Sequence, residues 1–427
     1  MRLTLGWLQE FVAIDTPIAV LSDRLVMAGF EVAATFEVGA VDPRVVVGIL
    51  RGLAPHPSAD RLQCCHVEVA AGEIVDVVSG APGLAVGQRV AVALPGATVA
   101  GGRRVEVSTL RGVPSAGMLC SEAELELSDA ADGVLTFAAD ALVGTTVASV
   151  PGVRDTVLEI EVGPNRGDCL SVQGLAREIA VLTGAKLRAP RVRVREAGRA
   201  AADDIAVAVE AADLCPLYCA RVVRGVTVGA SPLWLRLRLR RAGMRSINTV
   251  VDATNHVMLE RGQPLHAFDL ERLTGKRVVA RRAGAGERMV TLDGVERILD
   301  GDDLVIADAA RPVAIAGVMG GQDSEITLHS QVVLLESAFF APPTVRRTVR
   351  RLGLPSQASY RFERRVDPQG VEAALDATAA LLAQIAGGRV APGIVRAGPG
   401  THDWLLPPVA LRPRRAIALL GTRFSRS

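Results

Sequence analysis

Between Val45 and Ser108 five short valine-rich runs, VVVGIL, HVEVA, IVDVV, RVAVALP and RRVEVS, are separated by Gly and Pro every 8 to 15 residues. Period-2 alternation between turn residues specifies short antiparallel strands, and regular spacing of this kind predicts a small barrel. The flanks obey other rules. Before the runs, Pro17 opens a stretch in which Leu21, Leu25 and Ala28 recur at helical spacing until Gly29. After them, TVLEIEV alternates as a strand, and Asp168 or Ser171 can cap a helix that runs to about Leu182 and stops at Gly184.

Beyond the second flank, the polar, Pro-containing stretch from Ala189 to Asp204 reads as a linker. Residues 205–398 then alternate strands (IAVAV, CARVV, RVVARRA, DLVIAD, QVVLLES) with at least three helical stretches, a mixed α/β domain. One run is ambiguous. Leu233 to Arg240 alternates strictly, as a strand would, yet Ser231 and Pro232 stand at N-cap and first-turn positions and Gly243 follows as a stop. Capping outweighs alternation, and a helix is expected. A further element starts at Arg412 and runs to Leu420, and the chain reads as cut off inside a domain at Ser427.

With 427 residues, about three domains are expected. The charge of +2 excludes a chain dominated by nucleic-acid binding, so any such binding is local. Mean hydropathy is +0.29, but the longest apolar stretches, such as 313–321, fall short of the ~18 residues a spanning helix needs. The opening residues hold no apolar signal region, so a cytoplasmic protein is expected. The six cysteines form no CxxC and read as reduced thiols. Cys64-Cys65-His66 and Cys215-x-x-x-Cys219 lack a completing His pair, and adjacent strand cysteines face opposite ways, so no metal is expected. There is no GxGxxG after a strand, no GxxxxGK[ST] and no GxSxG, which removes the basis for Rossmann, P-loop and α/β-hydrolase chemistry.

Four segments together resemble the β subunit of bacterial phenylalanyl-tRNA synthetase. They are GWLQEF with LSDRLVMAGFEVA; HPSADRLQCCHVEV, SGAPGLAVGQRVAVALPGA and LRGVPSAGMLCSEAELEL; LEIEVGPNRGDCLSVQGLAREIAVLTG; and SPLWLRLRLRRAGMRSINTVVDATNHVMLERGQPLHAFD with LVIAD, IAGVMGGQDSEIT, VVLLESAFF and SYRFERRVDP. The final PRRAIALLGT resembles the opening of the family's next domain. The resemblance implies an α+β multidomain chain. An OB-type tRNA-binding barrel (40–151) is inserted in an N-terminal α/β domain (1–39 plus 152–190), followed by a linker (191–204), an editing domain (205–398) and the start of a further domain (405–427). His256, Arg365, Gly83 and Ser58 depart from the family's usual Tyr, Gly, Asn and Asn, and Arg365 could strain a turn that favours Gly.

In that family the α subunit carries the aminoacylation site and uses ATP, phenylalanine and Mg²⁺. The expected partners are therefore an α subunit in an α2β2 complex and the phenylalanine tRNA, with no cofactor on this chain. The β subunit hydrolyses tyrosine misattached to that tRNA, because a pocket for Phe rejects an isostere bearing one more hydroxyl only imperfectly. By the match, Glu336 accepts the tyrosine hydroxyl and His266 positions the ester or a water. Arg245, Thr254, Asn255, Pro264, Gly320, Gly321 and Ala358 line the substrate. Each has a plainer reading: Glu336 as a salt-bridged strand end, His266 as a structural histidine, Thr254 and Asn255 as turn caps at a strand end, the glycines as a turn. Two arginine clusters, Arg236, Arg238, Arg240, Arg241 with Arg245, and Arg346, Arg347, Arg350 with Arg351, are candidates for tRNA phosphate or for a solvated face; residues 210–389 carry 24 basic against 20 acidic groups, a net of +4. The barrel has seven Arg against eight carboxylates between Arg44 and Ser128, and Phe137 is its lone aromatic, so weak, backbone-directed RNA contact is expected of it. A non-enzymatic tRNA-binding protein and a freestanding editing hydrolase are the alternatives.

Overall fold

The computed structural model describes residues 1–188, 192–404 and 407–422. The expected domain limits near 190, at 191 and at 405, and the terminus at Ser427, lie outside them.

Arg2–Thr4 forms a short strand, and Thr4 then caps a helix, Leu5–Gln9, by accepting from Trp7 N. The Leu21/Leu25 stretch is the helix Ile18–Met27, ended by Gly29 at φ +90°. The strand Glu31–Val38 follows, but its sheet is completed only by Asp155–Glu161, which lies centrally with Arg2–Thr4 on one side and Glu31–Val38 on the other, all antiparallel. Ser171 caps the helix Val172–Thr183, its Oγ accepting from Gly174 N at 2.9 Å, and Gly184 closes it at φ +72°. Residues from both flanks of the valine-rich runs thus share one core, with Trp7, Phe11, Leu25, Leu158 and Ile179 fully buried or nearly so.

Four of the five valine-rich runs are strands of one curled sheet in the order Met118–Leu119, Arg89–Ala93, Val45–His56, Ala59–Ala70, Glu73–Ser79. Ala116 N donates to Asp76 O (2.8 Å) and Val78 N to Ser115 Oγ (3.0 Å), which curls the sheet toward closure. VVVGIL is apolar without alternation because both its faces are covered. Val46 packs with Val67, Val77, Val90 and Val92, whereas Val45 and Val47 pack with Ala91, Leu127 and Leu135. RRVEVS differs from expectation: Arg103–Arg104 pairs with Thr98–Val99 and Ser108 with Ser115, both outside the curled sheet.

The second unit is built from two five-stranded sheets. One runs Ala206–Val209, Arg277–Arg282, Leu304–Ala307, Pro312–Ile315, Met319–Gly320. The other places Val332–Phe339 between Leu265–Asp269 and Leu217–Arg224, with Arg389–Val390 and Val395–Ala397 paired to Leu217–Arg224. All five expected strands are present. The helix Val371–Ala386 backs the second sheet, where Ser337 Oγ donates to Val371 O at 2.8 Å.

One segment differs from the reading of its composition, and the expected helix at Leu233 differs only in its cap. The described part of the expected linker is packed rather than free: Ala197 N and Ala201 N donate to Val390 O and Pro392 O, and Glu196 accepts from the buried Arg221 at 2.7 Å. Three of its charges are docking groups: Glu196 meets Arg221, and Asp204 meets both Arg199 and Arg224. Leu233–Arg241 is a helix, but Pro232 is its N-cap residue, while the Ser231 hydroxyl donates instead to Asp252 Oδ2 at 2.6 Å. Its strand-like alternation has a cause. In a helix, residues two apart face nearly opposite ways; Leu235 and Leu239 enter the N-terminal core and Leu237 enters the barrel's outer core. This one helix is wedged between two hydrophobic clusters.

Candidate functional site

Alternation along Val332–Phe339 sends Glu336 to the face opposite Ser337, away from the Val371–Ala386 helix. In register with Glu336 stand His266 on one neighbouring strand and Ala220 on the other, so all three share that face. Glu336 is 6% exposed and Tyr218 is fully buried, and the Tyr218 hydroxyl donates to Glu336 Oε2 at 2.9 Å. Oε1 has no hydrogen-bond partner among the described residues, yet it is not sealed. Burial raises the Glu336 carboxyl to about pH 7, against the Tyr218 hydrogen bond, which favours the ionised form. The plain reading of Glu336 as an exposed, salt-bridged strand end therefore does not hold.

His266 keeps some accessible surface, but the protein around it lowers its pKa to about 4, so the ring is neutral at physiological pH. Its ring lies edge-on to Phe268, centroids 4.5 Å apart, and its nitrogens make no hydrogen bond among the described residues. A Cβ at Gly320 would sit 2.7 Å from His266 Nε2, so this glycine makes room for the ring. Pairing on adjacent strands thus places a neutral imidazole beside a buried carboxylate with one open oxygen, joined by no ion pair. Such a site can accept a hydrogen bond from a hydroxyl and orient a polar group or water nearby.

The other expected lining residues are less tightly gathered. Pro264 is buried immediately before the His266 strand. Gly321 lacks a side chain for a local reason, since a Cβ would lie 2.7 Å from Val313 O. Ala358 is half-buried on the short helix Gln357–Phe362, against the same core. Thr254 and Asn255 are not at a strand end. They lie within the helix Thr249–Arg261, capped by Asn248 Oδ1, and the Thr254 hydroxyl donates to Val251 O at 2.8 Å. Val257 of that helix packs with Ala374, on the reverse side of the sheet from His266. Arg245 is exposed in the loop before this helix.

Four of the five arginines of the first cluster are paired within the chain. Arg236 pairs with the buried Glu122 and Arg240 with Asp129 (2.9 Å), both on the barrel unit. Arg238 pairs with Glu10, and Arg241 donates to the carbonyls of Gly152 and Val153. A phosphate-binding role is not retained for Arg236, Arg240 and Arg241. They sit there because the wedge helix must bind both neighbours through its non-leucine positions. A recess of about 1490 Å³ beside this helix, lined by Trp7, Phe137 and Trp234, is charge-balanced for the same reason. In the second cluster Arg347 bonds Asp302 (2.8 Å), Arg351 pairs with the buried Asp303 and Arg346 donates to Glu363 O (2.9 Å). Arg350 is exposed and makes no ion pair among the described residues.

All six cysteines are free thiols. Asp168, Cys169 and Glu178 converge, but Arg166 bonds both carboxylates and fills the place a cation would take. Of the departures, Arg365 does adopt φ +67°, and Gly83 takes φ +75°, a conformation Asn also tolerates. His256 stacks on Trp7 at 4.8 Å. Tyr218 was missed from sequence. Its signal was an aromatic in CPLYCARVV two positions before Ala220, hence on the same strand face.

Comparison with known proteins agrees with this layout. Residues 45–146 match the family "Putative tRNA binding domain" and residues 214–387 match "B3/4 domain". The phenylalanine–tRNA ligase β subunit of Moorella thermoacetica is 48% identical over 436 residues, covering 100% of this chain and 53% of that protein. The chain belongs to the phenylalanine–tRNA ligase β-subunit family. The β subunits of Anaeromyxobacter dehalogenans (48% over 426 residues, 100% of this chain, 53% of that one) and Oleidesulfovibrio alaskensis (45% over 421 residues, 99% and 52%) agree. The chain thus spans about half the length of the curated relatives it matches. An N-terminal fragment of the phenylalanyl-tRNA synthetase β subunit from Pyrococcus horikoshii aligns over 64% of this chain and 74% of that one, at 14% identity and a TM-score of 0.30, and supports no argument. No helix among the described residues is long and apolar enough to cross a membrane.

Proposed function

We propose that this chain acts as part of a cytoplasmic phenylalanine–tRNA ligase and that its residues 205–398 hydrolyse tyrosine misattached to the phenylalanine tRNA. In this reading an α subunit, in an α2β2 complex, performs the ATP- and Mg²⁺-dependent attachment of phenylalanine, and this chain supplies no nucleotide or metal site. The observation that carries the editing role is the half-satisfied carboxylate of Glu336: one oxygen held by a buried phenol, the other open, beside a neutral imidazole. A carboxylate kept out of water needs hydrogen-bond partners, and a ligand hydroxyl at Oε1 supplies the missing one. A phenylalanyl ester brings nothing to that oxygen, so the tyrosyl ester is preferred by the hydrogen bond it alone can make.

His266 would then hold the ester carbonyl or the attacking water by a neutral ring nitrogen, raising rate by positioning. Within the two arginine clusters, Arg350 and the exposed Arg245 make no ion pair among the described residues and would meet phosphate. The expected domain limits serve as working boundaries for fragments. The test is direct: the 427-residue chain is incubated with preformed Tyr-tRNA and Phe-tRNA, and tyrosine should be released faster than phenylalanine. Equal, background rates for both would remove the editing assignment. Failure of the gene's own product to co-purify with an α subunit would remove the ligase one.

A further inference from the structure

We propose that Tyr218 is a positioning and specificity-determining residue of the Glu336 site: its hydroxyl pins one carboxylate oxygen and thereby leaves a single oriented acceptor, Oε1, for an incoming phenol. The inference rests on the reading of Glu336 given above. Tyr218 pairs in register with Ala338, two residues beyond Glu336, so its ring reaches across the strand pair to Oε2. Alanines at 220 and 338 leave the space this requires, and Ala220, directly opposite Glu336, offers no competing side chain. An unpinned glutamate would rotate and present either oxygen; the pinned one presents the same oxygen each time, which is what selective recognition needs.

The groups facing Glu336 make the phenol decisive. Tyr218 and Cys215 approach from the Leu217–Arg224 side, His266 from the other, and Cys219 lies on the reverse face of the Tyr218 strand. None is a cation at neutral pH, since His266 is held near pH 4 and the thiols are raised by burial. The Tyr218 hydrogen bond is therefore the interaction that favours the ionised carboxylate against burial. Without it Glu336 stays protonated to higher pH and becomes a poorer acceptor.

Deacylation of preformed Tyr-tRNA and Phe-tRNA is measured for the 427-residue chain and its Y218F, E336Q and Y218F/E336Q variants between pH 6 and 8.5, with uncatalysed hydrolysis subtracted. Y218F should lower the preference for the tyrosyl ester about tenfold at pH 7, the loss of one hydrogen bond to a charged group. Its preference should recover at higher pH, whereas Y218F should add nothing in the E336Q background. Unchanged preference and pH midpoint in Y218F, or an equal loss in both backgrounds, overturns the proposal. If E336Q itself keeps full preference, the Glu336 reading falls and takes this one with it. Should Y218F fail to fold while the double variant folds, the phenol is needed only because of the carboxylate, which supports the coupling; if neither folds, Tyr218 is a core residue and the proposal is wrong.

Discussion

Replacing Glu336 by Gln changes how the stability of the chain depends on pH, and the size of the change follows from the site. Glu336 is raised from 4.5 to about 7 in the folded chain, so between those values the native state holds a proton that the unfolded chain has lost. Stability then falls as pH rises through this window, by ~1.4 kcal/mol per pH unit and roughly 3 kcal/mol in all. His266 works in the opposite sense. It is lowered from 6.5 to about 4, so the unfolded chain binds the extra proton and stability rises with pH between 4 and 6.5, by a similar amount. The two slopes cancel where the windows overlap. In E336Q only the His266 slope remains: urea unfolding followed by circular dichroism should show stability relative to the parent chain increasing from pH 4.5 to 7 by about 3 kcal/mol. Other groups contribute alike to both proteins, so the difference isolates Glu336. Parallel pH profiles for the two would refute the burial and ionisation assigned to this carboxyl.

Three further outcomes are expected. Arg365→Gly should stabilise the chain by about 1 kcal/mol, measured by urea unfolding, because φ +67° costs a side-chain-bearing residue what glycine avoids. Arg236→Ala should cost about 3 kcal/mol and loosen the barrel from the wedge helix, seen as increased proteolysis at the junction, since it leaves the buried Glu122 unpaired. His266→Ala should slow hydrolysis of tyrosyl and phenylalanyl esters alike in single-turnover assays, leaving their ratio near the parent value, because positioning affects rate more than choice.

Much of the architecture is legible in the residues because each element carries its own punctuation. Ser171 and Gly184 bracket a helix as cap and stop, and the valine-rich runs announce strands. The strand-like LWLRLRLR was read as a helix through its flanking residues, but the reason for its pattern lies in two separate cores that meet on it. Thr254 and Asn255 were misplaced because β-branched Thr249, Val250 and Val251 imitate a strand, while the capping Asn248 that starts the helix went unread. Paired residues are harder still. The arginines of the wedge helix look like a phosphate face until Glu122, Asp129 and Glu10, over a hundred residues away, are seen to meet them. His266, Glu336 and Tyr218 come together only through strand register, and of the three Tyr218 lies outside any local motif.

The most direct test of the account is the ratio of Tyr-tRNA to Phe-tRNA deacylation by Glu336→Ala, with circular dichroism to establish that the variant is folded. A hydrogen bond to a charged group contributes ~1.5 to 3 kcal/mol, so the ratio should fall by roughly 10- to 150-fold. A folded Glu336→Ala chain that keeps its full preference for the tyrosyl ester would show that Glu336 only supports the sheet, and would contradict the assignment of this site.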